Sequence, residues 1–179
     1  PEVVEAMLPY FTEYYGNPSS VYEFAGKSKQ AVDAARKTLA DSLGAKPEEI
    51  YFTAGGSESD NWALKATAEA YTSKGKHIIT SKIEHHAILH TCEYLEKRGF
   101  EITYLDVDEN GVVKLDELEK AIRPDTILIS VMFANNEIGT IQPIEEIGAI
   151  AKEHGILFHT DAVQAFGQLP INVDVCHID

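Results

Sequence analysis

Apolar runs and helical stripes alternate along the chain, with no linker-like or low-complexity break and no internal repeat. Four short runs read as strands: Ile50–Thr53, His77–Thr80, Thr126–Phe133 and Ile156–Phe158. The third is almost continuously apolar, as expected of a central parallel strand buried on both faces. Glu2 to about Phe11 reads as a helix. Gly26 to Leu43 reads as an amphipathic one, with Val32, Ala35, Leu39 and Leu43 at helical spacing and Gly44 as C-cap. Further helices are predicted over Trp62–Tyr71, from His86 to about Arg98, over Leu115–Ile122 and over Ile144–His154. This alternation predicts an α/β fold, a three-layer α/β/α domain around a mostly parallel sheet, with residues 1–179 forming part of one large domain.

Each predicted strand runs into a polar loop. In open α/β sheets, ligands occupy the crevice outside the carboxyl ends of the strands. The run Ile50–Thr53 leads into Ala54-Gly-Gly-Ser-Glu-Ser-Asp-Asn61. Two glycines, a hydroxyl and a new helix N-terminus make an anion site there, compatible with a capping box in which Ser57 is the N-cap and Asp60 reaches back. After His77–Thr80 comes Ser81-Lys-Ile-Glu-His-His86. A histidine at such an edge stacks on a ring, binds a metal or moves protons, whereas adjacent histidines on a surface do none of these. After Thr126–Phe133 comes Ala134-Asn-Asn-Glu-Ile-Gly139, whose asparagines are either turn formers or amide donors. The strand Ile156–Phe158 delivers Asp161 with no Lys or Arg near it in sequence. That acid either caps a helix starting at Ala162 or pairs with a cation from elsewhere, and a protonated pyridine nitrogen suits it.

Composition narrows the classes. Hydrophobic content of 44% and charged content of 25% are ordinary globular values. With 29 acidic against 15 basic side chains, the net charge of −14 argues against nucleic acid or an anionic membrane as partner. An anionic ligand must therefore be held by local dipoles against the global field. Cys92 and Cys176 form no CxxC and no metal-ligand spacing, which points to a reducing, cytoplasmic setting. Cys92 shares a helical face with Ile88, Leu89 and Leu95 and reads as a buried structural thiol. A metal site at Glu84, His85 and His86 lacks a ligand triad. The stretch Asp106–Gly111 has no calcium-loop register and reads as an acidic turn. No signal peptide or long apolar stretch occurs between Pro1 and Asp179, although a trimmed start could hide a targeting segment.

The runs Gly16-Asn-Pro-Ser-Ser20, Phe52-Thr-Ala-Gly-Gly-Ser-Glu-Ser-Asp-Asn61, Glu84-His85, Ala134-Asn-Asn-Glu-Ile-Gly139 and Phe158-His-Thr-Asp-Ala-Val-Gln164 resemble, in order and spacing, the amino-terminal half of the cysteine desulfurases. These are pyridoxal phosphate (PLP) enzymes of the class V, aminotransferase-like superfamily. The resemblance covers essentially the whole chain. It implies that Gly56 and Ser57 hold the PLP phosphate and that His85 stacks on the ring and moves protons. It further implies that Asp161 pairs with the ring nitrogen, that Gln164 bonds the phenolic oxygen, and that Asn136 lies near that oxygen and the substrate carboxylate. Ser57 stands where many members have Thr, and Tyr22 where His is common. The implied activity is removal of sulfur from L-cysteine, leaving alanine and an enzyme persulfide. A sulfur-acceptor or scaffold protein would receive it for iron–sulfur cluster or thio-cofactor supply, and the enzyme would be a homodimer.

In that family the Schiff-base lysine follows a strand expected to begin near Val173, and the persulfide cysteine lies in the carboxyl-terminal half. Residues 1–179 on their own are therefore expected not to complete a turnover, and to expose apolar surface where further elements would pack. Related readings are a selenocysteine lyase or another class V aminotransferase. A reading from a different class is a non-catalytic binding or assembly module.

Overall fold

The computed structural model describes residues 1–179. Their contacts group into two compact units, Pro1–Tyr51 and Phe52–Asp179. The first unit is helical, with α1 over Glu2–Thr12 and α2 over Gly26–Leu43. Both stand where the sequence predicts helices, and Gly44 closes α2 in the left-handed conformation (φ 70°), as a C-cap glycine should. Within this unit Gly16 sits so close to the backbone of Ala25 that a Cβ would lie 2.8 Å from its Cα. The predicted stripe on α2 is only partly realised. Val32, Leu39 and Leu43 are half-buried and Ala35 is exposed, whereas Ser28 and Ala40 are buried.

The second unit carries α3 (Gly56–Ala70), β1 (His77–Ser81), α4 (His86–Glu96), β2 (Glu101–Leu105), α5 (Leu115–Ala121), β3 (Thr126–Ser130), α6 (Ile144–His154) and β4 (Leu157–His159). The four strands form one parallel sheet in the order β2-β1-β3-β4. On one face, Leu64 and Ala68 of α3 and Ile88, Cys92 and Leu95 of α4 pack on Ile78 and Leu128. On the other, α6 lies against Phe158, so close that a Cβ on Gly148 would sit 3.2 Å from the ring. This is the three-layer arrangement that the alternation predicts, and Cys92 is buried in it as expected.

Four expectations are corrected. Ile50–Thr53 belongs to no strand, and the sheet's fourth member is Glu101–Leu105. That segment has little apolar alternation, because it is the outermost strand in the sheet order and all but Leu105 stay partly open. The run Thr126–Phe133 is a strand only over Thr126–Ser130, although the Val131 and Phe133 N–H groups still bond to the His159 and Asp161 carbonyls. The segment from Val173 is a turn, because Asn172 Oδ1 accepts the N–H groups of Asp174 and Val175 and curls the chain. No helix starts at Ala162, where the chain makes turns instead.

The strand order sets where a ligand can go. From β1 the chain crosses by α4 to β2 on one side, whereas β3 lies on the other side of β1 and feeds β4 further out. The loops after β1 and β3 therefore diverge and open a crevice at a topological switch point.

Candidate functional site

The largest local change is at the start of α3. Gly55 holds the cap position, the helix begins at Gly56, and Ser57 is its second residue rather than the N-cap. The capping box gives way to a different set of bonds. Glu58 accepts the Ala54 N–H at 2.5 Å, Thr53 and Ser59 hydroxyls meet at 2.7 Å, and Asp60 is turned inward, 4% exposed. Glu58 and Ser59 N–H groups bond back to the Gly55 carbonyl. Those of Gly56 and Ser57 precede them and have no intrahelical acceptor. They are free donors at the positive end of the helix. Gly56 also gives α3 room: a Cβ there would lie 2.8 Å from Val163 Cγ2, so a larger residue would have to displace that side chain from the loop after β4.

That loop is fixed by its own acid. Asp161 Oδ1 accepts the Val163 N–H at 3.0 Å, and the Asp161 carbonyl accepts the Phe133 N–H at 2.8 Å. The cap reading of Asp161 thus holds for a turn and leaves the carboxyl group at the crevice.

The loop after β1 ends at His85, the N-cap of α4, whose Nδ1 accepts the Ala87 N–H at 3.1 Å. This leaves Nε2 and an exposed ring face. The two asparagines after β3 have different jobs. Asn135 is buried and donates to the Ile83 carbonyl at 2.9 Å while accepting from Glu137 and Ile138. Asn136 is exposed at the cavity.

Together these elements enclose a cavity of about 280 Å³. Gly56, Ser57, His85, Asn136, Asp161 and Gln164 all line it, so the structure gathers every site residue read from the sequence. The volume is near the lower end for small-molecule sites, roughly 300 Å³ upward. Asp60 lines the same cavity. Glu84 is outside this lining and is 6% exposed.

The electrostatics are those of buried acids without a basic neighbour, since no Lys or Arg lines the cavity. Burial first, then the nearby Asp161 charge, pushes the Asp60 carboxyl up to about 7. Burial pushes Glu84 up to about 8, against the Ser81 and Met132 hydrogen bonds that pull it down. His159, from β4, is pushed down to about 4 by burial. Its Nδ1 meets the Ser130 hydroxyl at 2.9 Å and its Nε2 lies 3.7 Å from Asp60 Oδ1.

Asp60, Glu84 and His159 were not singled out as site residues by the sequence reasoning. Two of them had a signal. Asp60, Leu64 and Ala68 recur every four residues, which puts a carboxylate on the buried stripe of α3. His159 shares strand parity with Asp161 and so faces the same side. Glu84 entered the sequence reading only in the Glu84-His85 run and in a metal site that lacks a ligand triad.

The whole chain, residues 1–179, matches the Aminotransferase class-V family. The chain belongs to that family. It is 68% identical over 178 residues to a cysteine desulfurase IscS of Methanosarcina thermophila, covering 99% of this chain and 44% of that protein. It is 60% identical over 179 residues to a cysteine desulfurase IscS of Clostridium botulinum (strain Kyoto / Type A2), covering 100% of this chain and 45% of that one. The chain thus spans under half the length of these curated relatives. Among solved structures it is similar to SspA in complex with cysteine, at a TM-score of 0.96 and 47% identity, covering 99% of this chain and 51% of that one.

Proposed function

We propose that the cavity binds PLP and that the whole protein containing these residues is a cysteine desulfurase, acting on L-cysteine. One observation carries the reading. A helix N-terminus with free N–H groups and a buried carboxyl group face the same cavity, which matches an anionic phosphate at one end and a cationic ring nitrogen at the other. The donor set fits this group, and the likeness to cysteine desulfurases supports the substrate.

In this reading Gly56 and Ser57 bind the phosphate by backbone N–H groups and the Ser57 hydroxyl. Asp161 pairs with the ring nitrogen, Gln164 offers its amide to the phenolic oxygen, and Asn136 faces that oxygen and the substrate carboxylate. His85 lays its open ring face on the cofactor and holds or passes a proton at Nε2, because Nδ1 is engaged by Ala87. Bound PLP supplies the electron sink for chemistry at the substrate α-carbon. The protein's part is to orient that sink and keep its nitrogen paired.

The test uses the full reading frame containing these residues. With PLP, L-cysteine and a thiol reductant it should form alanine and release sulfide, the reductant supplying the two electrons that free the persulfide sulfur. Turnover of selenocysteine alone would replace the reading with a different class V activity, and failure to bind PLP would overturn it. We further propose a cytoplasmic homodimer that passes sulfur to an acceptor or scaffold protein. The support is two unbridged cysteines and a first helix with no buried residue, on which Val3, Val4, Leu8 and Phe11 are all exposed. Light scattering and cell fractionation test these points.

A further inference from the structure

Asp60 and Asp161 line one cavity, both almost wholly buried at 4% and 9% exposure, with no Lys or Arg in the lining. Two carboxylates in one such site cannot both hold a full charge cheaply, because each raises the cost of ionising the other. The geometry assigns the roles. Asp161 is given a donor, the Val163 N–H at 3.0 Å. Asp60 faces the imidazole of His159 at 3.7 Å, which burial keeps neutral and which Ser130 holds by the opposite nitrogen. The remaining titratable groups around it are Glu84, itself buried, and His85 at the rim.

We propose that Asp60 is a proton-storing, positioning partner of Asp161: it keeps its carboxyl proton while the cavity is free and gives it up when a cation pairs with Asp161. The inference rests on the PLP reading, since the cation in question is the protonated ring nitrogen. The step balances simply. The O–H bond of Asp60 breaks, its proton leaves for the ring nitrogen or for water, and the negative charge left behind faces the new cation. In either route the protein–ligand pair draws one proton fewer from the solvent than it would without Asp60.

The placement on α3 gives the arrangement its point. The same helix presents the anion-binding N–H groups of Gly56 and Ser57, one turn before Asp60. A permanent charge on Asp60 would repel the phosphate approaching that turn, whereas a neutral acid does not. Once the ring nitrogen is in place, the second negative charge supports its protonated form.

The test is a proton inventory with pyridoxine 5′-phosphate, a ring analogue that carries an alcohol in place of the aldehyde and cannot bond an amine. Calorimetric titration in two buffers of different ionisation enthalpy gives the protons taken up on binding. Near about pH 6.5, the wild-type protein should take up fewer protons than Asp60→Asn, by roughly half a proton or more. The Asp60 carboxyl titrates at about 7 in the free protein, so the difference should close at clearly alkaline pH. Asp60→Ser, a second neutral replacement, should behave like Asp60→Asn, and circular dichroism confirms that each is folded. Infrared spectra of the wild type read the same proton without a variant. The protonated-carboxyl band should lose intensity on binding, and an unchanged band overturns the proposal. Equal proton uptake by wild type and neutral variants across the pH range also overturns it and leaves the PLP reading intact. Absence of binding by the wild type overturns both.

Discussion

Both carboxyl oxygens of Glu84 accept the backbone N–H of Met132, at 3.0 and 3.1 Å, and one also accepts the Ser81 hydroxyl at 2.5 Å. One buried side chain thus ties the end of β1 to the backbone just past β3, the two strands whose loops diverge to form the crevice. Glu84 is beside His85 in sequence, so the same tie fixes where that histidine stands.

The Glu84 contact makes stability fall on the alkaline side. Burial raises its carboxyl from 4.5 to about 8 in the folded protein. The folded state therefore holds a proton that the unfolded chain loses, and stability declines as pH rises through that window. Asp60 acts with the same sign from 3.8 to about 7. His159, lowered from 6.5 to about 4, acts oppositely, because the unfolded chain gains the proton first as pH falls. Below about pH 6.5 His159 offsets one of the two acids, and above it only the acids remain. Melting temperature should fall between about pH 6.5 and 8, and Glu84→Gln, neutral throughout, should flatten that slope. An unchanged slope in the variant would show that Glu84 is ionised when folded.

Gly56→Ala should cost about 1 kcal/mol in thermal or denaturant unfolding, because the new Cβ meets Val163. Val163→Ala in the same chain should restore more than half of the loss. If the double variant is as weak as the single one, the clash is not the cause.

Asn135 and Asn136 should separate stability from binding. Asn135→Ala abandons the Ile83 carbonyl and two backbone N–H groups and should cost about 2–4 kcal/mol. Asn136→Ala should leave stability within about 0.5 kcal/mol, since the residue is exposed, while weakening ligand binding at the cavity. Denaturant melts and fluorescence titration of each variant check the contrast.

Asp161→Asn should weaken PLP binding by about 1.5–3 kcal/mol, roughly tenfold to a hundredfold, because an amide cannot compensate a ring cation. Fluorescence titration reads the affinity directly. Wild-type affinity in this variant would remove Asp161 from the ring-nitrogen role.

Much of this protein was legible in its sequence, for reasons that are local. Helices α2 and α6 end where Gly44 and Gly155 permit a left-handed residue, and apolar spacing marks their bodies. Polar residues directly after apolar runs marked the loops, and the resemblance to the cysteine desulfurases picked out the six candidate positions within them; three of those loops follow strands, whose ends are where a parallel sheet exposes its chain. What the sequence could not decide depends on neighbours distant along it. Glu101–Leu105 is a strand because β1 pairs with it, although its own pattern is weak, and Ile50–Thr53 has the pattern but forms no strand. The two asparagines look alike until Ile83, some fifty residues earlier, claims one of them. The pairing of Ser130 with His159 across β3 and β4, and the turning of α3 so that Asp60 meets that histidine, bring three polar groups together below the surface. Their protonation follows from burial and proximity, which only the assembled sheet and helix create.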